Sequence, residues 1–321
     1  MERDCAIGCF SGYAWSNVEV WARSLRATGF NGRKLALVRD ADQSCRKALA
    51  NEGFEVVDFS YSPVTSNAYV ERFAFLRRYL RERYQAGEVF RWVIATDVRD
   101  VCFQRDPLDY LTQFEPPRLV LSQEGLRYAH EEWNAGNLRA AFGDVALEML
   151  RDTPAYNVGV LAGGHRAMES LAFLIEQLAR AARHPISDQA SFNLLLSENL
   201  VGPHSAHRAN AAEPWACQAG VMADPQHIER HRPHLLGPEP IWREGQVLTA
   251  AGEAYAIVHQ YDRVPAWRDV ILRRYSSFPA SNATPPSRSR AFEVWHNCVS
   301  RMIGRIIRRI RRRAARALWV D

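Results

Sequence analysis

Apolar residues along the first hundred positions come in short continuous runs separated by stretches with helical spacing. Residues 5–10 (CAIGCF) read as a buried strand. Ser16-Asn17-Val18-Glu19 has capping-box spacing, and an amphipathic stretch follows to about Thr28. The run at 34–39 predicts a second strand, a helix follows to Glu52, and FEVVDF at 54–59 predicts a third strand. Asn67 is placed to cap the next helix. There Tyr69, Phe73, Leu76 and Leu80 fall on one face, and Gly87 is a stop. FRWVIA at 90–95 is a hydrophobic strand running straight into Thr96-Asp97-Val98-Arg99-Asp100. Further strands are expected at 118–122, 156–162 and 254–258, with helices at about 139–150, 165–182 and 187–198.

Strands apolar on both faces and alternating with helices predict an α/β fold, a mostly parallel central sheet flanked by helices. Residues 200–250, rich in Pro, His and Gly, read as a loop-rich insertion that shapes a pocket. The expected organisation is a body over 1–275, a flexible linker over 276–290 and a basic amphipathic helix over 291–321. No internal repeat is apparent.

Composition changes this picture at one point. The chain has 321 residues and a net charge of +5, but residues 301–316 carry eight arginines and no acid. Without them 33 basic residues face 36 acidic ones, so the body is near neutral and no nucleic-acid partner is expected. In the tail Ile303, Ile306, Ile307, Ile310, Ala314 and Leu318 form one apolar stripe among the arginines. That pattern over 301–318 fits an anionic membrane surface, with a protein or nucleic-acid partner as the alternative. The six cysteines contain no CxxC pair, so a zinc or thioredoxin-like site is not expected. The start lacks a basic-then-apolar leader, and no run of about 18 apolar residues occurs. The expected location is cytoplasmic, peripheral on the inner face of the plasma membrane if the tail binds lipid.

Candidate chemistry centres on the end of the FRWVIA strand. In open α/β sheets ligands bind beyond the carboxyl ends of strands. Two carboxylates there, Asp97 and Asp100, are costly to bury without a positive partner. A divalent cation is one such partner; a surface turn, or an ion pair with Arg99 or Arg105, is the plainer alternative. Absent motifs narrow the class: there is no GxxxxGK[ST] loop, no GxGxxG after the first strand and no GxSxG elbow.

Four segments in order carry a resemblance. TDVRDVCFQRDP resembles the acidic metal-binding segment of nucleotide-sugar-dependent glycosyltransferases. YNVGVLAGG (156–164) resembles the strand that lines their donor-sugar pocket. SDQASFN (187–193) and VHQYD (258–262) are similar to the Asp-Gln-x-x-x-Asn segment and the late histidine of the glycogenin-like and galactosyltransferase group. The resemblance implies the GT-A (nucleotide-diphospho-sugar transferase) fold and a hexosyltransferase-like, retaining enzyme. It implies Asp97, Asp100 and His259 as metal ligands and Asp188 and Gln189 as catalytic residues. Asn157 and Gly159 would lie at the donor sugar, with Arg72 and Arg263 at the donor phosphates. Two oxygens and an imidazole favour Mn2+ over Mg2+. The implied partners are a nucleotide-sugar donor, a UDP-sugar above others, and a glycan or lipid-linked acceptor.

The usual acidic pair is D-x-D; here Val98 and Arg99 intervene. Counted back from Pro107, Asp100 fits the second acid, which leaves Asp97 as a direct ligand, a water-mediated one or a ribose contact. Each residue has a plain alternative: Gly159 relieving packing, Asp188 capping a helix, His259 ending a strand, Arg72 and Arg263 solvated. A nucleotidyltransferase on the same fold is disfavoured, because FSGYAWSN after the first strand lacks a basic residue. A non-catalytic sugar-nucleotide or glycan-binding protein is the other class.

Overall fold

The computed structural model describes residues 3–59, 68–115, 118–198, 200–201 and 206–277. The expected linker beyond Ser277, the amphipathic tail helix and the Asn67 cap lie outside these residues. Met1–Ser277 forms one compact unit.

The strands are β1 (Arg3–Ser11), β2 (Arg33–Arg39), β3 (Glu55–Asp58), β4 (Phe90–Thr96), β5 (Val101–Phe103) and β6 (Leu119–Arg127). They continue as β7 (Pro154–Gly163), β8 (Ala206–Ala209), β9 (Ala216–Gln218), β10 (Ile241–Arg243), β11 (Gln246–Leu248) and β12 (Ile257–His259). The helices are α1 (Trp15–Ala27), α2 (Gln43–Asn51), α3 (Ala68–Gln85), α4 (Pro107–Leu111), α5 (Glu132–Phe142) and α6 (Asp144–Leu150). After them come α7 (His165–Ala181), α8 (Asp188–Ser197), α9 (Ala219–Met222), α10 (Ile228–His231) and α11 (Pro265–Tyr275).

The main sheet runs β3-β2-β1-β4-β7-β6-β8. Every neighbouring pair is parallel except the two that β7 makes, with β4 and with β6. The mostly parallel sheet expected from the sequence is therefore present, with one reversed strand at its centre. Period-2 alternation explains why the first strands read as continuous apolar runs. Ala6, Ala36, Val38, Trp92 and Ile94 face a core with Trp21 and Leu25 of α1 and Leu49 of α2. Cys5, Ile7, Leu35, Leu37 and Val93 face the other core, with Phe73, Leu76 and Leu80 of α3 and Leu171 and Ile175 of α7.

Several local expectations shift. The cap of α1 is Ala14, two residues before the expected Ser16: Asn17 Oδ1 accepts from the Ala14 N–H at 3.1 Å, and Glu19 is buried. Glu19 pairs with Arg23 at 2.6 Å and accepts from Ser276 and Ser277, so the body extends through Ser277. Tyr69 is 46% exposed, unlike the other three members of the α3 stripe. The helix expected over 139–150 is two helices, broken at Gly143 with φ +91°. The strand expected over 254–258 is limited to β12. The 200–250 region, expected to be loop-rich, contributes β8 to the main sheet and β9 to a small one. That small sheet, β5-β12-β9, places β12 antiparallel to β5 and parallel to β9. Among the described residues no helix is long and apolar enough to cross a membrane.

Candidate cation site and the amide network beside it

The acidic segment after β4 turns because Val98 is drawn into the core. Val98 is 3% exposed and packs where Gly8 leaves room on β1; a Cβ on Gly8 would lie 2.3 Å from Val98 Cγ1. With Val98 turned inward, Asp97 and Asp100 project together. This accounts for the second intervening residue in the acidic pair. The Asp97 N–H donates to Gly159 O at 2.8 Å, tying the turn to β7. The Gln260 N–H donates to Asp100 O at 2.7 Å, tying it to the end of β12.

His259 ends β12, opposite Val101 on β5 and Gln218 on β9. Its Nε2 lies 3.4 Å from Asp97 Oδ2 and 3.6 Å from Asp100 Oδ1. Among the described residues Asp97, Asp100 and His259 form the one group able to hold a metal ion, each with one ligand atom within 4.8 Å of the others. Two ligands each about 2.1 Å from one ion lie roughly 3.0–3.5 Å apart at octahedral or tetrahedral angles, a range that the two imidazole–carboxylate distances meet or nearly meet. Two hard oxygens and one imidazole nitrogen are also suitable donors for a divalent cation. The three residues predicted as ligands are thus brought together, and Asp97 sits in the cluster beside Asp100.

The two oxygens of Asp97 divide their partners. Oδ2 faces His259, while Oδ1 takes the Arg72 guanidinium, whose Nη2 reaches Asp188 Oδ2 at 2.7 Å. Burial works to raise the Asp97 carboxyl, but Arg72 and His259 outweigh it and hold its pKa below the usual range. Burial works to lower the His259 pKa, and the carboxylates of Asp100 and Asp97 reverse that, moving it up. Burial keeps Asp188 above the usual range despite Arg72. Asp97 leaves 32% of its side chain exposed, while His259 is almost closed off, so the open side of the cluster is at Asp97.

β7 joins this cluster to a second one. A Cβ on Gly159 would lie 2.5 Å from His259 Cε1 and 2.8 Å from both Asn157 Oδ1 and Asp97 Oδ2. Only glycine leaves that space. Asn157 Oδ1 accepts from the Gly159 N–H at 2.6 Å, and its Nδ2 donates to Glu124 Oε1 at 2.7 Å. Gln189 Nε2 donates to the same Glu124 oxygen at 3.0 Å and to Asn134 Oδ1 at 2.7 Å. Asn134 Nδ2 donates to Glu124 Oε2. Glu124 is 4% exposed and is held by three side-chain amides. Glu131 caps α5 by accepting from the N–H groups of Trp133 and Asn134. Burial and the neighbouring Glu124 push Glu131 up to about 7.

The predicted residues fall into place unevenly. Asp188 and Gln189 open α8 and are buried, one toward Arg72 and one in the amide network. Asn193 pins α8 to β7 by bonding both main-chain groups of Tyr156 at 2.8 Å. Arg72, predicted at the donor phosphates, bridges two carboxylates. Arg263 lies on the single turn after His259, 40% exposed, beside Asp262 at 3.5 Å. Sequence reasoning missed Glu124, Glu131, Asn134, Ser122 and Gln218. The strand expected at 118–122 in fact runs on to Arg127, which places Gln123 and Glu124 inside it; polar residues within a buried strand are the available signal.

The fold is similar to that of solved glycosyltransferases. The bifunctional glycosyltransferase WbbM, in its apo structure, matches at a TM-score of 0.51 and 12% identity. The match covers 87% of this chain and 50% of that one, so the chain spans about half the length of WbbM. The galactosyltransferase LgtC, in complex with donor and acceptor sugar analogs, matches at a TM-score of 0.49 and 17% identity over 90% of this chain and 99% of that one. No family model matches the sequence, and no curated protein does. The chain has the GT-A-like fold expected from the sequence.

Proposed function

We propose that this protein is a divalent-cation-dependent glycosyltransferase that moves a sugar from a nucleoside-diphosphate-sugar to a glycan or lipid-linked acceptor. The observation that carries the reading is the convergence of Asp97 and Asp100, from the turn between β4 and β5, with His259, from the end of β12, at one open-sided cluster. A bound cation would supply electrostatic stabilisation to the diphosphate leaving group. The donor set favours Mn2+ over Mg2+. A UDP-sugar donor and retention of configuration are proposed from the sequence resemblance.

The chain's own residues have distinct tasks in this reading. Asp97, Asp100 and His259 hold the cation. Arg72 bridges Asp97 and Asp188 and fixes the angle at which Asp97 offers Oδ2. Gly159 leaves open the space between His259 and Asn157. Glu124 fixes which way the Asn157 and Gln189 amides point, by taking an N–H from each. Those amides and Asp188 are suited to orient sugar hydroxyls. Arg99 and Arg263, both partly exposed beside the cluster, are placed for anionic donor atoms.

The test is a thermal-shift screen of nucleotide-sugars with and without Mn2+, followed by measurement of nucleoside diphosphate release. One donor should raise Tm only with Mn2+ and should be slowly hydrolysed, and Asp100→Ala should abolish both effects. A panel in which no nucleotide-sugar shifts Tm defeats the reading. Stabilisation without any hydrolysis or transfer would identify a binding protein instead.

A further inference from the structure

His259 is held from behind by a buried chain of polar groups that the proposed chemistry does not itself require. Parallel pairing of β9 with β12 sets Gln218 directly beside His259. His259 Nδ1 lies 2.8 Å from Gln218 Oε1, and Gln218 Nε2 donates to Ser122 Oγ at 2.7 Å. The Ser122 hydroxyl is 3.4 Å from the Ala216 carbonyl oxygen, on the same strand as Gln218. The chain therefore has a fixed direction. A carbonyl only accepts, so the Ser122 proton points to Ala216. Ser122 then accepts from the Gln218 N–H, and the Gln218 oxygen turns to His259. An amide oxygen beside Nδ1 requires a proton on Nδ1 and leaves Nε2, which faces Asp97 and Asp100, as the nitrogen able to ligate a cation. Gln218 is fully buried, Ser122 is 1% exposed and His259 is 3% exposed, so the relay is shielded from solvent.

We infer that Gln218, oriented by Ser122, is the positioning residue that makes His259 a cation ligand through Nε2. The inference rests on the cation site proposed above. An imidazole ligates through one nitrogen, and a partner on the other nitrogen sets its tautomer and ring angle. The same contact also aims the ring at the gap that Gly159 leaves open. Neither Gln218 nor Ser122 lies on the cation side of the ring, so their effect passes through His259 alone.

The experiment is Mn2+ titration of the full chain without any nucleotide-sugar, followed by electron paramagnetic resonance of the free ion. Gln218→Met, close in shape but without an acceptor oxygen, should weaken Mn2+ binding by about 10- to 100-fold. Gln218→Glu keeps an acceptor for Nδ1–H, and Ser122 can rotate to donate to it. Its affinity should return to within about threefold of the unaltered protein, an expectation set by that retained hydrogen bond. Ser122→Ala should lose affinity in the same direction but less. Melting temperatures without Mn2+ separate a structural role. If both Gln218 variants lose stability equally and bind Mn2+ as the unaltered protein does, the inference is overturned. Should Gln218→Met fail to fold, Ser122→Ala decides: weaker binding supports the relay, and unchanged binding overturns it. An unaltered protein that binds no Mn2+ instead sinks the cation site itself, a different result from loss of the relay alone.

Discussion

Gly159→Ala adds one methyl group at the junction of the two polar clusters, and its consequence follows from distances. The new Cβ would sit 2.5 Å from His259 Cε1, where ordinary contact begins at about 3.4 Å, a shortfall of about 0.9 Å. It would also lie 2.8 Å from Asn157 Oδ1 and from Asp97 Oδ2. None of these atoms is the free end of a flexible chain. The ring is held by Gln218, the amide by Glu124 and the carboxylate by Arg72. β7 itself is fixed between β4 and β6. Cation sites tolerate ligand displacements of about 0.2 Å, so a movement several times larger should abolish tight Mn2+ binding. The overpacking itself should cost about 1–3 kcal/mol of stability. Gly136 is the internal control: it lies exposed on α5 with nothing within 4 Å of its Cβ position. Gly136→Ala should stabilise by about 0.5–1 kcal/mol and leave cation binding untouched. Denaturant unfolding and Mn2+ titration of both variants provide the assay. Gly159→Ala binding Mn2+ as tightly as Gly136→Ala would refute the assignment of this cleft.

Three further outcomes follow from the same geometry. Glu131 holds its proton more tightly folded than unfolded, so its contribution is greatest below about 4.5, where it is protonated in both states, and is lost as pH rises toward about 7. The loss is at most on the order of 3 kcal/mol, and Glu131→Gln should remove it: between pH 5 and pH 8 the unaltered protein should lose more unfolding free energy than the variant, and equal losses would contradict the shift. Asn193→Ala leaves the buried main-chain N–H and C=O of Tyr156 without their side-chain partner and should cost about 2 kcal/mol or more in urea unfolding, whereas a loss below about 0.5 kcal/mol would show that α8 is held to β7 by apolar contact alone. Arg72→Ala leaves Asp97 and Asp188 facing each other without their shared cation and should destabilise by about 3 kcal/mol in cation-free buffer, with part of the loss recovered on adding Mn2+; no recovery would place the ion away from Asp97.

How much of this was legible in the sequence depended on whether a residue's task is local. The strands facing two cores read clearly because alternation between two apolar faces leaves an unbroken apolar run, as in Leu35–Val38. The acidic segment stood out because it follows an apolar strand, where ligands collect; His259 was singled out by the ordered resemblance, with its place after an apolar strand in support. The reversal of β7 was not legible, since a strand's direction is set by its neighbours and not by its own pattern. Gln218 was missed because its role arises from register: only the pairing of β9 with β12 sets it beside His259, and the two are 41 residues apart. Glu124 was missed for the opposite reason, a strong local signal read the wrong way. The expected strand stops at Ser122, short of the polar pair Gln123-Glu124, but β6 runs on to Arg127, and three amides from β7, α5 and α8 hold Glu124 inside it.

The arrangement of charge explains why two polar clusters share one strand. Arg72 answers Asp97 and Asp188, Arg99 touches Asp100 at 3.4 Å, and neutral amides hold Glu124. What remains is a face formed by Asp97 Oδ2, Asp100 Oδ1 and the His259 ring. A protein that bound only sugar rings would need the amides around Glu124 but not this acidic face. A protein that only stored a cation would need the face but not the amides. Asn157 and Gly159 set the two side by side, with a single residue between them on β7. The proposed transfer would draw on both, the amides orienting the sugar and the acidic face holding the cation that balances charge growing on the leaving group.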